Sequence, residues 1–183
     1  MWGNAIGDKS AVIITTNGRN STVYSPIAED LELIGFDFWN TRFGYVGAKA
    51  GKVFRTGNSA STWVDVSAPT TSSITGYYLF APSVLYVTGS EGYISNAFDS
   101  EVTWAEKKNT NTTEDLRDIA FFDYPTGFAI GTKGEIIWSF GGTIWENLTS
   151  LTDENLNGLA KLDSPTAIVV GDNGVIVRGT QKA

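Results

Sequence analysis

The 183-residue sequence predicts an all-β fold, a five-bladed β-propeller of 40–42-residue repeats with three-stranded end blades. Three observations predict it. Five glycine-turn strings recur along the chain: AIGDKSAVIITT, YVGAKAGKVFRT, YVTGSEGYISNA, AIGTKGEIIWSF and VVGDNGVIVRGT. Their anchor glycines are Gly7, Gly47, Gly89, Gly131 and Gly171, with gaps of 40, 42, 42 and 40 residues. A tryptophan follows each of the three middle strings, at Trp63, Trp104 and Trp145, with both spacings 41. The segments between turn signals are too short for helices and rich in Ile, Val, Phe, Tyr, Trp and Thr, the residues that suit a pleated, half-buried surface.

Each unit reads as four short strands, A to D. Strand A is LELIGFDF (31–38), SITGYYLF (73–80), LRDIAFFD (116–123) or LNGLAKLD (156–163). Strand B ends at the glycine anchor, strand C follows it, and strand D carries the tryptophan in STWVDV, VTWAEK and TIWENL, with Val23 of STVYSP at the matching place of the first unit. Punctuation such as DYPT, TK and GG between them is hairpin-turn chemistry. The units run approximately 1–28, 29–70, 71–112, 113–153 and 154–183 and form a single domain. The first lacks strand A and the last lacks strand D. No apolar rhythm of 3.6 residues persists over ten positions, which argues against helical repeats of similar length. The polar stretch NTNTTEDLRD reads as a loop. Open end blades would leave apolar faces in water, so the terminal blades are expected to touch and close the ring. A half-ring that dimerises through its incomplete end blades is the architectural rival.

Composition narrows the function. The net charge of −7 lacks the basic excess that phosphate binding needs, so no nucleic-acid partner is expected. Cys and His are both absent, which removes thiol nucleophiles, disulfides, His-based triads and the usual zinc ligand sets; no cofactor, metal or catalytic residue is assigned. No run of about 18 apolar residues suggests membrane insertion. The start MWGNAIGDKS has neither the basic segment nor the apolar core of a signal peptide, so a soluble protein of unknown compartment is expected. The strings NST, NTT and NLT fit a glycosylation sequon but arise readily in a Thr- and Asn-rich chain.

The unit DIAFFDYPTGFAIGTKGEIIWSFGGTIWENL (118–148) resembles a repeat of the photosystem II assembly factor propellers, through Asp123, Gly127–Gly131, Gly134–Ile136 and Thr143–Trp145 in order. The last unit follows the same pattern through Asp163, Val169–Asp172 and Gly174–Ile176. The related Asp-box pattern survives only as TGNSASTW, SNAFDSEVTW and SFGGTIW, with its aspartate lost or displaced. What the resemblance implies is the fold. Members of that family have more blades and long N-terminal extensions, whereas this sequence shows fewer units, so photosystem assembly does not carry over, and a compact relative of this kind would suit a phage or environmental protein.

Function must then come from a site. The B–C turns and D–A loops of a propeller share one face, and Lys9, Lys49, Glu91, Lys133 and Asn173 would circle its rim. Plain turn chemistry accounts for the same residues. Trp39, in the A–B turn FWNTRFG, is a further candidate contact because an exposed aromatic is costly without a partner. The D–A loops 66–73 and 107–116 are the longest and the first choice for a recognition surface. The three periodic tryptophans read first as packing between blades and secondly as sugar-stacking platforms. Arg19, Arg42, Arg55, Arg117 and Arg178 fall at different places in their units, unlike the arginine cluster of a sialidase. The expectation is a non-enzymatic binding or scaffold propeller presenting loops to a protein or glycan. A lectin-like carbohydrate binder is the second reading and a minimal sialidase-like glycosidase the third.

Overall fold

The computed structural model describes residues 3–6, 10–15, 19, 21–24, 27, 31–49, 51–98, 103–108, 110–123, 126–162 and 166–180. These residues form five antiparallel sheets in chain order. The first blade comprises β1 (Gly3–Ile6), β2 (Val12–Thr15) and β3 (Ser21–Tyr24). The second holds β4 (Leu33–Phe38), β5 (Gly44–Ala48), β6 (Val53–Thr56) and β7 (Val64–Asp65). The third holds β8 (Ile74–Ala81), β9 (Val84–Gly89), β10 (Tyr93–Phe98) and β11 (Thr103–Trp104). The fourth holds β12 (Leu116–Asp123), β13 (Thr126–Gly131), β14 (Ile136–Phe140) and β15 (Glu146–Asn147). The last has β16 (Leu156–Lys161), β17 (Thr166–Gly171) and β18 (Ile176–Thr180). Five blades with three-stranded ends are what the repeat predicts. No helix among the described residues is long and apolar enough to cross a membrane.

Within each blade the strands meander, and between blades the first strands pack side by side, β4 on β8, β8 on β12 and β12 on β16. Each of these four strands starts with a β-bulge, the register shifting between Leu33 and Gly35, Ile74 and Gly76, Leu116 and Asp118, and Leu156 and Gly158. A bulge leaves one residue unpaired and re-aims it. Here that residue is Ile34, Thr75, Arg117 or Asn157.

The core runs along the seams between blades. Val12, Leu33, Val46 and Phe54 pack in the first seam; Tyr45, Ile74, Leu85 and Val87 in the second; Tyr86, Ile119, Phe121 and Ile137 in the third; and Ile130, Leu156 and Val169 in the fourth. Trp63, Trp104 and Trp145 each enter the seam with the preceding blade. Trp145 is fully buried, and the Trp104 indole N–H donates to the Val66 carbonyl at 2.8 Å. The periodic tryptophans pack between sheets, Trp145 fully buried and Trp63 and Trp104 partly so.

Two expectations are corrected. The structural partner of Gly89, Gly131 and Gly171 in the second blade is Ala48, not Gly47. Leu33 pairs with Ala48 just as Leu116 pairs with Gly131, and the Ala48 N–H donates to the Lys52 carbonyl as Gly131 does to Glu135. The second correction concerns closure. Val170 and Ile176 are 44% and 73% exposed, whereas Ile130, which matches Val170 one blade earlier, is fully buried. No core cluster of the described residues joins the first and last sheets. The described blades form an open arc. Bulky residues such as Tyr77, Phe121 and Trp145 fill the seams, and the wedge they make sets the angle between neighbouring blades.

Candidate functional site

The B–C turns and D–A loops do share one face. A Cβ at Gly51 would lie 3.0 Å from the Thr70 carbonyl oxygen, and one at Gly134 would overlap the Thr152 carbonyl, so the D–A loops lie directly on the B–C turns. Those turns are tight. Glu91, Lys133 and Asn173 take φ of 57°, 52° and 53°, a left-handed conformation that costs a non-glycine residue about 1–2 kcal/mol.

A clamp holds them there. The residue just before each A strand, Glu32, Ser73, Asp115 or Asn155, accepts through its carbonyl the N–H of Lys49, Ser90, Thr132 or Asp172 in its own blade's turn. Two of these residues also reach back one blade. The Asp115 carboxylate accepts the Glu91 N–H at 3.0 Å, and the Asn155 amide oxygen accepts the Lys133 N–H at 3.2 Å. One residue thus ties two blades together at the rim. The sequence reading missed this position, although 32, 73, 115 and 155 repeat with nearly the same period as the glycines.

The clamp also places each predicted rim residue. Glu91, Lys133 and Asn173 are equivalent, but Lys49 is one step out of register and matches Thr132 and Asp172 instead. The one-residue slip of the glycine anchor caused the misassignment. Lys49 pairs with Glu32 at 2.6 Å, both side chains largely in water. Lys9 lies outside the described residues. Trp39 stands at the opposite end of the molecule, on the A–B turn after β4, and is 50% exposed. There the Asn40 side chain caps the N–H groups of Arg42 and Phe43, at 2.8 and 3.0 Å, and the Arg42 guanidinium sits over the Phe43 ring. The structure does not bring Trp39 together with the rim set.

The rim is densest between the fourth and fifth blades. Lys133 Nζ is 2.9 Å from Glu114 Oε1, and Thr132 Oγ1 donates to the other carboxylate oxygen at 2.8 Å. The Lys133 hydrogen bond holds the Glu114 carboxyl below its usual range and raises the lysine. Nearer the axis the bulged residues meet. Arg117 donates to the Asn157 amide oxygen, and Asn157 Nδ2 donates to Asp172 Oδ1 at 2.6 Å. Asn155 Nδ2 donates to the other Asp172 oxygen at 2.8 Å, and these two amides hold Asp172 below its ordinary pKa. The result is a patch of fixed donors and acceptors on the loop face. Among the described residues no group of three or more acidic side chains is placed to hold a metal ion.

No protein-family model and no curated protein matches the sequence. Solved structures do. YCF48 from Cyanidioschyzon merolae superposes with a TM-score of 0.79 at 15% identity, over 98% of this chain and 66% of its own. A structure described as YCF48 bound to D1 peptide gives 0.73 at 19% identity, over 98% and 60%. The WD40 β-propeller domain of Doa1 gives 0.75 at 9% identity, over 98% and 63%. At these identities the likeness shows the propeller fold. The chain spans about two thirds of the length of these structures.

Proposed function

We propose that the chain is a non-enzymatic binding scaffold that receives a protein segment on its B–C/D–A face, between the fourth and fifth blades. One observation carries the reading. Lys133, with Glu114, is displayed from a turn held in a disfavoured backbone conformation by an inter-blade hydrogen bond, beside the Arg117–Asn157–Asp172 network. Strain held in place by surrounding structure is a mark of sites shaped for contact. Rigid amide and charged groups at fixed spacing suit the peptide backbone and its polar side chains, and preorganisation spares the entropy of ordering them. A similar structure in complex with a peptide supports the choice of partner class. Trp145 is fully buried and Trp63 and Trp104 are partly buried in the seams, which favours a protein segment over a carbohydrate.

The test is a displayed peptide library panned against the chain, with the footprint of enriched peptides read by amide hydrogen exchange. Protection is expected at residues 90–93, 114–117, 132–135 and 155–157. Enrichment that survives Arg117→Ala and Asn157→Ala together, or a footprint confined to the Trp39 end, would refute the assignment of the face.

A further inference from the structure

A second feature stands at the opposite end of the molecule from that rim, on the second blade. The A–B turn 39–43, WNTRF, and the C–D turn 57–62, GNSAST, form one tip there. The Ser59 N–H donates to the Arg42 carbonyl at 3.1 Å, and a Cβ at Gly57 would touch the Phe43 ring at 3.4 Å. Each turn is also fixed from within. The Trp39 N–H donates to the Phe43 carbonyl at 3.0 Å. Ser59 and Ala60 take φ of 62° and 60°, two left-handed non-glycine residues in succession. The Thr56 hydroxyl oxygen accepts the Ala60 N–H at 3.0 Å and Asn58 Oδ1 accepts the Thr62 N–H at 3.0 Å, which holds them so. Such strain persists only where the surrounding structure enforces it, and it clusters at sites of contact.

Unlike the seam tryptophans, Trp39 does no packing at its place in the repeat. Leu33 and Ile74 pair alike with Ala48 and Gly89, as Leu116 does with Gly131, so Phe80 and Phe122 hold the equivalent position in the next two blades. Phe80 packs on Phe121 with ring centroids 5.9 Å apart, and Phe122 on Phe128 at 5.1 Å. Among the described residues the Trp39 ring meets no other aromatic and its indole N–H makes no hydrogen bond. Donors without a protein partner surround it: the Asn40 amide N–H groups, the hydroxyls of Thr41, Ser59 and Ser61, and the guanidinium of Arg42, which lies over the Phe43 ring 5.8 Å from its centroid. All five of these residues are exposed. Arg42 is the one charged residue of the two turns, and Trp39 is their one exposed apolar residue.

We propose that this tip binds an acidic saccharide, with one sugar ring stacked on the Trp39 indole and its carboxylate paired with Arg42. A pyranose presents an apolar face of C–H groups edged by hydroxyls. The tip presents the complement, one amphipathic indole edged by hydroxyl, amide and guanidinium donors. An uncompensated guanidinium takes a carboxylate through two parallel N–H bonds, and neither turn carries an acidic residue to compete for it. A protein partner would call for a different surface, since the centre of such an interface is an apolar cluster shut off from water. Here a single apolar side chain stands among unsatisfied polar groups. The fixed turns spare the entropy of ordering the site on binding.

The experiment uses the full 183-residue chain with hexasaccharides of galacturonate, of mannuronate and of alternating glucuronate and N-acetylglucosamine, and cellohexaose as the neutral counterpart. Titration calorimetry should show one-to-one binding of at least one acidic oligomer, weakened by added salt and at least about tenfold tighter than that of cellohexaose. Amide exchange should slow at residues 39–43 and 57–62. Trp39→Ala and Arg42→Gln should each weaken binding at least about tenfold with the thermal melt kept, because both side chains stand in water. Trp39→Tyr, which keeps a stacking face, should retain most of the affinity. No binding of any acidic oligomer, equal binding of cellohexaose, or binding that survives Trp39→Ala would overturn the proposal. So would protection confined to the loop face, or library peptides whose footprint covers the tip, because the occupant there would then be a protein segment.

Discussion

The Tyr77 ring lies across the backbone of Gly47, so close that a Cβ at that glycine would overlap the ring around Cζ and the hydroxyl. Gly35 forms the rest of the slot, where a Cβ would come within 2.5 Å of Tyr77 Cδ2. The third blade therefore docks on the second through a tyrosine seated on two glycines of neighbouring strands. Gly47→Ala should destabilise the fold by about 3 kcal/mol, the upper end of ordinary overpacking. Urea denaturation measures it, and a double-mutant cycle gives the cause. In a Tyr77→Ala background the same substitution should cost little, leaving a coupling of about 2 kcal/mol or more. A coupling near zero would mean that the glycine serves some other purpose.

Trp145 tests the tryptophan seam. It is fully buried, packs edge-on against Phe121 with ring centroids 6.0 Å apart, and bridges two sheets. Trp145→Ala should cost about 3–5 kcal/mol, as removal of large core aromatics does. Thermal melts should show the loss. A cost below about 1 kcal/mol would show that the seam does not depend on this side chain.

How much of this was legible in the sequence follows from what each feature depends on. Strand order, blade number and the three tryptophans were readable because turn geometry and seam packing recur at every blade and leave a period. The anchor slip at Gly47 arose because that glycine serves Tyr77, a contact from another blade that no local pattern records. The rim clamp of Asp115 and Asn155 hid in loops that read as ordinary polar punctuation. Closure was not legible, since the angle between blades is set by side chains meeting across seams. Trp39 was correctly read as exposed, but its distance from the rim is a matter of which end of strand A it follows.

Asp37 and Asp118 make a pH prediction. Each accepts a backbone N–H from the first strand of the next blade, Asp37 from Leu79 and Asp118 from Leu159, both at 2.8 Å. Burial raises both carboxyls above their ordinary value, and the backbone hydrogen bonds only partly offset it. The folded protein then holds protons that the unfolded chain releases. The stability from this source is present below the unfolded pKa and is lost as pH rises through the folded one. Asp37→Asn keeps an oxygen for the Leu79 N–H and removes the buried charge. The variant should be more stable than the parent at pH 7, with the difference shrinking as pH falls toward 4. Denaturant melts across that range decide it, and a difference that grows toward acid would contradict the assignment.

Lys133 separates stability from binding. Its φ of 52° and ψ of 36° suit glycine better than lysine, and the N–H bond to Asn155 that holds the turn belongs to the backbone. Lys133→Gly therefore relieves strain without breaking the clamp. What it removes is the bond to Glu114, an exposed ion pair of the kind worth little. The variant should be as stable as the parent or more so, by up to about 1 kcal/mol. If the lysine is kept at this turn for its side chain, peptides enriched on the loop face should bind the variant several-fold more weakly while their exchange footprint on the neighbouring turns stays in place. Paired measurement of the melt and of the affinity distinguishes the cases. A variant that is more stable and binds equally well would show that Lys133 is a turn residue only and would move the contact toward Arg117 and Asn157.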